Sequence, residues 1–199
     1  MIDHDEPIVR EVQAGRTEAF AKLVNRHKDR VYAIMLRLVG DRDAAEELAH
    51  ESFVHAWRAI EGFRGQALFG TWIVQIAIHL ARDRMRARRR MRTVSLDALL
   101  EESADGSALM DTRSLRDPLS EISDRDMVKR LEAALGGLPH SYREVFVLHH
   151  IEDIPYEEIA SMTGKSVGSL KVRAHRARKL LREAISPDAE FVAPDDRID

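Results

Sequence analysis

The sequence predicts an all-α fold: two small helical domains joined by an acidic flexible linker, the C-terminal one carrying a helix-turn-helix. Three observations predict it. Apolar residues recur at spacings of three and four over most of the chain, the period of a helix with one buried side. That rhythm lapses over 93–120, an acidic stretch rich in Ser and Asp, and resumes after it. No segment shows the alternation of a half-buried strand.

The elements follow in order. Residues 6–12 carry a short helix. Phe20, Leu23, Val24, His27, Val31, Ile34, Met35 and Leu38 form the buried stripe of a long second helix, stopped by Gly40. Asp41 or Asp43 caps the third, whose stripe is Ala45, Leu48, Ala49, Phe53, Ala56, Trp57 and Ile60. EGFRG at 61–65 holds two glycines in five residues and reads as a loop. Phe69, Trp72, Ile73, Ile76, Ala77 and Leu80 form a fourth stripe. After the linker, with at most one turn of helix near 96–100, come Met127 or Val128, Leu131, Leu135 and Leu138. IPYEEIASMTG (154–164) is a short helix, with Pro155 near its start and Glu157 and Glu158 in its first turn. Gly164 turns the chain, and Ser166 caps a helix running to about residue 185, with Val167, Leu170, Ala174, Ala177 and Leu181 inward.

Composition narrows the function. The 199 residues are 44% apolar and 6% aromatic, so the cores are aliphatic. With no cysteine, disulfides, thiolate zinc sites and thiol catalysis are excluded. No secretory signal opens the chain and no apolar run approaches membrane-spanning length, so a cytoplasmic protein without membrane insertion is expected. No glycine-rich phosphate cradle occurs, and adjacent pairs such as Glu157 with Glu158 or His149 with His150 diverge by about 100° on a helix. Glu47 with His50, and Glu51 with His55, stand about one turn apart and suit surface pairs. No enzyme, metal or cofactor is expected.

The net charge of −3 conceals strong segregation. Residues 82–92 hold seven arginines against one aspartate, and 165–182 hold seven bases and no acid. Residues 95–124 hold eight acids against two bases, and 183–199 six against one. A short helix, a glycine turn and a basic helix form the pattern that places a recognition helix in the major groove, where Arg and Lys reach guanine edges or phosphates. The arginines after residue 80 suit a second phosphate track, with aromatics upstream that can stack on unpaired bases. Trp72 lies on the buried stripe and is expected to be largely structural.

With these segments in place the chain resembles the extracytoplasmic-function sigma factors of bacterial RNA polymerase. DRDAAEELAHESFVHAWRAIEGF (41–63) and FGTWIVQIAIHLARDRMR (69–86) resemble sigma region 2. LPHSYREVFVLHHIEDIPYEEIASMTGKSVGSLKVRAHRARKLLRE (138–183) resembles region 4. The resemblance implies a region 2 domain over 1–92, a linker over 93–121, a region 4 domain over 122–187 and a disordered tail over 188–199. It implies that Asp43, Glu46, Glu47, His50, Glu51 and His55 bind the largest subunit of core RNA polymerase. Promoter −10 contacts would fall on Phe63, Arg64 and Gln66, within a loop at 62–69 for an unpaired base, and on Gln75, His79, Arg82, Arg84 and Arg86. Ser166, Ser169, Lys171, Arg173 and Arg176 would read the −35 duplex, while the opposite side of that domain meets the second-largest subunit. The linker would thread toward the RNA exit channel, and an anti-sigma factor is an expected partner.

Departures from the family pattern are specific. ELAHE at 47–51 stands for the common DLVQE, and FGTWIVQIAIH at 69–79 for FRTWLYRIARN. Gly70, Gln75, Ile78 and His79 replace residues that are usually basic or amide, which bears on the −10 sequence preferred. His79 is open to three readings: a base reader, a water-mediated contact or a packed histidine.

Overall fold

The computed structural model describes residues 4–97 and 124–185. Among them every regular element is helical. The chain divides into two compact units, Met1–Thr112 and Arg113–Asp199. Residues 98–123, which hold most of the predicted linker, and residues 186–199, with the predicted tail, lie outside the described part.

The first unit holds α1 (Glu6–Gln13), α2 (Phe20–Val39), α3 (Arg42–Ala59) and α4 (Phe69–Asp97), with single 3-10 turns at Thr17–Ala19 and Ile60–Gly62. Asp41 adopts extended backbone, and its carboxylate accepts from the Ala44 amide at 2.7 Å, a side-chain cap on the start of α3. Helices α2, α3 and α4 pack on one another, and α1 packs on α2 and on the turn after α3. Leu23, Ile34, Met35, Leu38, Leu48, Phe69, Ile73 and Ile78 are all but sealed from solvent. Each such side chain contributes about 2 kcal/mol of transfer free energy against the entropy of ordering the chain.

Three features depart from the sequence reading. Trp57 is 39% exposed, its ring edge-on to Phe20 at 5.1 Å, because it stands at the margin of the arc that Phe53, Ala56 and Ile60 bury. Val74, Ile78 and Ala81 join Phe69, Ile73 and Ala77 in the core, since α4 packs on both α2 and α3 and buries a wider arc than one stripe. Ile78 is therefore a core residue with 0% exposure, and its lack of charge has no bearing on a surface contact. Helix α4 also continues to Asp97, through the start of the stretch read as linker.

A buried polar cluster ties the start of the chain to this core. Asp5 is 6% exposed, and its two carboxylate oxygens meet His27 Nε2, at 2.7 Å, and the Arg26 guanidinium. The His27 ring also lies 5.5 Å from the Phe69 ring. A Cβ at Gly70 would stand 3.1 Å from both His27 Cε1 and Arg30 Nη1, so glycine lets the first turn of α4 approach α2 closely. Gly70 is thus a packing residue, buried rather than a surface charge removed.

The second unit holds α5 (Asp124–Gly137), α6 (His140–Phe146), α7 (Tyr156–Thr163) and α8 (Val167–Ile185). Helix α6 runs on into one wider, π-type turn at Val147–Ile151. Leu135 and Leu138 pack on Ala177 and Leu181, flanked by Leu131, Tyr142, Phe146 and Ile151. Arg143 donates to the carbonyls of Gly136 and Leu138, the latter at 3.0 Å, and so closes the corner between α5 and α6. Burial lowers its pKa from the ordinary arginine value. Pro155 opens α7. Gly164, at φ 65° in the left-handed region, ends it, and the Ser166 hydroxyl accepts from the Ser169 amide at 3.3 Å as α8 begins.

Candidate nucleic-acid interface

In the second unit, Leu170, Ala174, Ala177 and Leu181 bury one side of α8 against α5, α6 and α7. The opposite side carries the bases. Ser169, Val172, Arg173 and Arg176 line a shallow concavity of about 420 Å³ together with Gly168 and with Ser141 and Tyr142 of α6. Arg176 Nη1 donates to the Tyr142 hydroxyl at 3.2 Å. Val172, 52% exposed, offers an apolar surface among these polar groups. Ser166 sits exposed at the helix start.

Lys171 does not share this stripe. It lies two residues from both Ser169 and Arg173, a turn of roughly 200° about the axis. Charge counting places it with the arginines; helical phase separates it. Tyr142 was not among the expected site residues, because it lies 34 positions from Arg176 and no local pattern joins them.

In the first unit, Gln75, His79, Arg82 and Arg86 fall at spacings of four, three and four on α4 and share one side of it. His79 Nδ1 lies 2.8 Å from the Gln75 carbonyl oxygen. That carbonyl can only accept, so Nδ1 carries a proton and Nε2 is left for an outside partner. Asp83 pairs with Arg86, whose hydrogen bond is the main reason the Asp83 carboxyl stays below the ordinary carboxylate range. Arg84, two residues from both Arg82 and Arg86, points roughly 200° away from them. It meets Glu47 of α3 at 2.5 Å.

The loop that precedes α4 is anchored at both ends. The Phe63 ring lies 4.7 Å from Trp72 and 6.1 Å from Phe69. Trp72 is half-buried in this aromatic group. Arg64 and Gln66 stand exposed between the anchors, and Gly65 turns the chain there. From α1, the Gln13 amide donates to the carbonyls of Ile60 at 2.8 Å and Phe63 at 2.9 Å.

The exposed side of α3 presents Asp43, Glu46, Glu47, His50, Glu51 and His55. His55 Nε2 lies 3.8 Å from Glu51. Glu47 reaches across to Arg84 instead of along the helix to His50. The side is mainly acidic and suits a basic partner surface. Among the described residues no group of three or more His, Asp or Glu stands together to hold a metal, and no helix is long and apolar enough to cross a membrane.

Comparison with known proteins agrees with this layout. Residues 23–91 match the family described as Sigma-70 region 2, and residues 129–181 match Sigma-70, region 4. The ECF RNA polymerase sigma-E factor of Haemophilus influenzae is 30% identical over 183 residues, covering 92% of this chain and 96% of that protein. The ECF RNA polymerase sigma factor SigW of Bacillus subtilis is 30% identical over 180 residues, covering 89% and 94%. Among solved structures, CnrH in complex with the cytosolic domain of CnrY aligns with a TM-score of 0.61 at 25% identity, covering 93% of this chain and 99% of that one. The sigma factor RpoE of Bartonella quintana, in complex with the anti-sigma factor NepR, shares the fold with a TM-score of 0.61 at 20% identity, covering 85% and 98%. The two basic helix sides, the acidic side of α3 and both regional matches thus lead to one conclusion: the chain belongs to the extracytoplasmic-function family of sigma-70 factors, non-catalytic RNA polymerase subunits that direct promoter recognition and transcription initiation.

Proposed function

We propose that the first unit captures the −10 element as a single strand while the second reads the −35 element as a duplex. The observation that carries this assignment is the pairing of each basic helix side with a different kind of neighbour. The α4 stripe adjoins a loop with half-buried aromatics and exposed polar side chains. The α8 stripe presents its arginines on a convex helix, beside a shallow concavity shared with Ser141 and Tyr142 of α6.

At −35, Arg173 and Arg176 face base edges in the major groove, with Ser169 one turn before Arg173 and the Ser166 end of α8 toward a phosphate. Lys171, on the other flank, follows the backbone. At −10, a base leaves the stack at a cost of a few kcal/mol and enters the loop at 62–69, where Phe63, Arg64 and Gln66 receive it. Gln75, His79, Arg82 and Arg86 hold the adjoining strand. Nε2 of His79, not used within the helix, is placed to meet a base edge, and this favours the base-reading role for it. Arg84 acts through Glu47.

The acidic side of α3, from Asp43 to His55, docks on the largest subunit of core polymerase, and the second unit docks on the second-largest. The division into 1–92, 93–121, 122–187 and 188–199 accompanies these roles, with 93–121 directed to the RNA exit channel. An anti-sigma factor is proposed as a further partner by analogy with the Bartonella complex. Run-off transcription with core polymerase and a library of genomic fragments tests the whole scheme. Mapped start sites should share −35 and −10 elements at fixed spacing; start sites sharing only one element would overturn the division of labour.

A further inference from the structure

The Gln13 side chain lies outside every segment expected to touch promoter or polymerase, yet it holds the loop proposed to receive the −10 base. Gln13 is the last residue of α1, a helix anchored by the buried Val9 and Val12. Its Nε2 bridges two carbonyls, Ile60 at 2.8 Å and Phe63 at 2.9 Å, across 47 and 50 residues of sequence. The Ile60 carbonyl also accepts from the Phe63 amide at 3.1 Å. The amide group therefore closes both ends of the single turn through which α3 passes into the loop.

Consequences for the loop follow from what remains free. Phe63 leaves the turn in extended backbone, at φ −72° and ψ 116°, with its ring on Trp72. Phe69 opens α4 at the far end, fully buried. Only 64–68 lies between these two fixed points. If the Phe63 carbonyl swings, the near wall of the loop swings with it. A loop held in its binding shape avoids an ordering cost when the base arrives.

We propose that Gln13 is a positioning residue for −10 capture, fixing the Phe63 end of the loop so that Arg64 and Gln66 meet the unpaired base in one geometry. This rests on the loop having the role proposed above. The chemistry required is narrow. Both partners are acceptors, so the position needs donors; a side chain of the same shape without donors is unsuitable.

The test uses holoenzyme assembled from core polymerase and the full chain. Its probe is the non-template single strand spanning the −10 element of a promoter mapped by run-off transcription, with a strand scrambled at −10 and a −35 duplex as comparators. Gln13→Glu keeps the shape and removes the donors; Gln13→Lys keeps donors only. Losing two neutral hydrogen bonds corresponds to roughly a tenfold effect. Gln13→Glu should lower affinity for the matched strand by roughly that factor, leave the scrambled strand and the −35 duplex unchanged, and so lower −10 discrimination. Gln13→Lys should stay within roughly threefold of the parent. Three results would overturn the proposal: wild-type discrimination in Gln13→Glu, failure of Gln13→Lys alongside it, or equal losses on all three probes, which mark a general folding role. Arg64→Ala and Gln66→Ala separate this from the loop assignment. If both retain discrimination, the loop reading falls and this proposal with it; if they lose it while Gln13→Glu does not, only Gln13 is at fault.

Discussion

Arg84 Nη1 lies 2.5 Å from Glu47 Oε2, so a base from the arginine-rich stretch of α4 is paired with an acid from the exposed side of α3. Both side chains are well exposed, at 37% and 63%, and a pair of this kind contributes about 0–1 kcal/mol. Glu47→Gln should therefore shift the urea midpoint of the first unit by less than that amount allows. The larger consequence is for DNA. Arg82 belongs to the Gln75, His79 and Arg86 stripe, and Arg84 does not. Arg82→Ala should weaken holoenzyme binding to −10 single strand by roughly tenfold, and Arg84→Ala by no more than roughly threefold, both diminishing with salt. Equal losses in a filter-binding series would show that Arg84 leaves Glu47 when DNA arrives.

The second prediction concerns the Asp5, His27 and Gly70 contact. Asp5→Ala leaves the buried His27 without its 2.7 Å partner. The expected cost is about 2 kcal/mol, a fall in Tm of roughly 10 °C for a domain of this size. Gly70→Ala tests the same contact from the other side. Helix propensity alone would favour alanine by about 1 kcal/mol. The Arg30 guanidinium and the His27 ring both stand 3.1 Å from the new methyl; the flexible arginine end can move aside, while the ring is held by Asp5. Gly70→Ala should thus give no stabilisation in the parent but should stabilise the Asp5→Ala variant, a coupling measurable by a double-mutant cycle.

These two cases also mark how far the sequence could be read. The α2 stripe, the Asp41 cap and the Ser166 start of α8 were legible because each is local: a period of 3.6 residues, or an acceptor three residues before an unpaired amide. The site residues on α4 and α8 were legible as sets by charge, and family resemblance named them. Charge carries no phase, so Arg84 and Lys171 were grouped with side chains that point elsewhere. Contacts that close through space left no local signal. Asp5, Gln13 and Tyr142 belong to none of the stripes or basic segments; only the folded chain joins them to His27, Phe63 and Arg176. Trp57 and Ile78 were misplaced because a stripe gives the centre of a buried arc, not its width, and width depends on how many helices pack there.

On α8 the prediction separates base edges from phosphates. Arg173→Ala should lower the ratio of matched to scrambled −35 duplex affinity about tenfold, within the range for loss of a bidentate base contact. Lys171→Ala, on the other flank, should weaken both duplexes alike and reduce the salt slope by about one. Tyr142→Phe keeps the ring and removes the acceptor that lies 3.2 Å from Arg176 Nη1. A few-fold loss of discrimination is expected there, since one hydrogen bond of about 1 kcal/mol steadies Arg176. Fluorescence anisotropy on the two duplexes distinguishes all three; a Lys171→Ala effect confined to the matched duplex would reverse the assignment of flanks.

The last prediction is a pH dependence in the second unit. The His150 ring lies 5.0 Å from Phe146 and 4.8 Å from His149, at the wide turn that follows α6. Desolvation against these rings lowers its pKa first; the His149 and Arg178 charges lower it further, and Asp153 opposes them. A histidine with a depressed folded pKa binds fewer protons folded than unfolded. Its neutral form is favoured in both states above the ordinary histidine value of about 6.5, so no stability is lost there. As pH falls below that value the unfolded chain takes up the proton first, and the second unit loses stability until the folded pKa is passed. Proton NMR of the full chain should show the His150 ring titrating below the ordinary value. His150→Phe should flatten the decline of the urea midpoint between about pH 7 and pH 5. An unchanged slope in that variant would assign the acid sensitivity to another group.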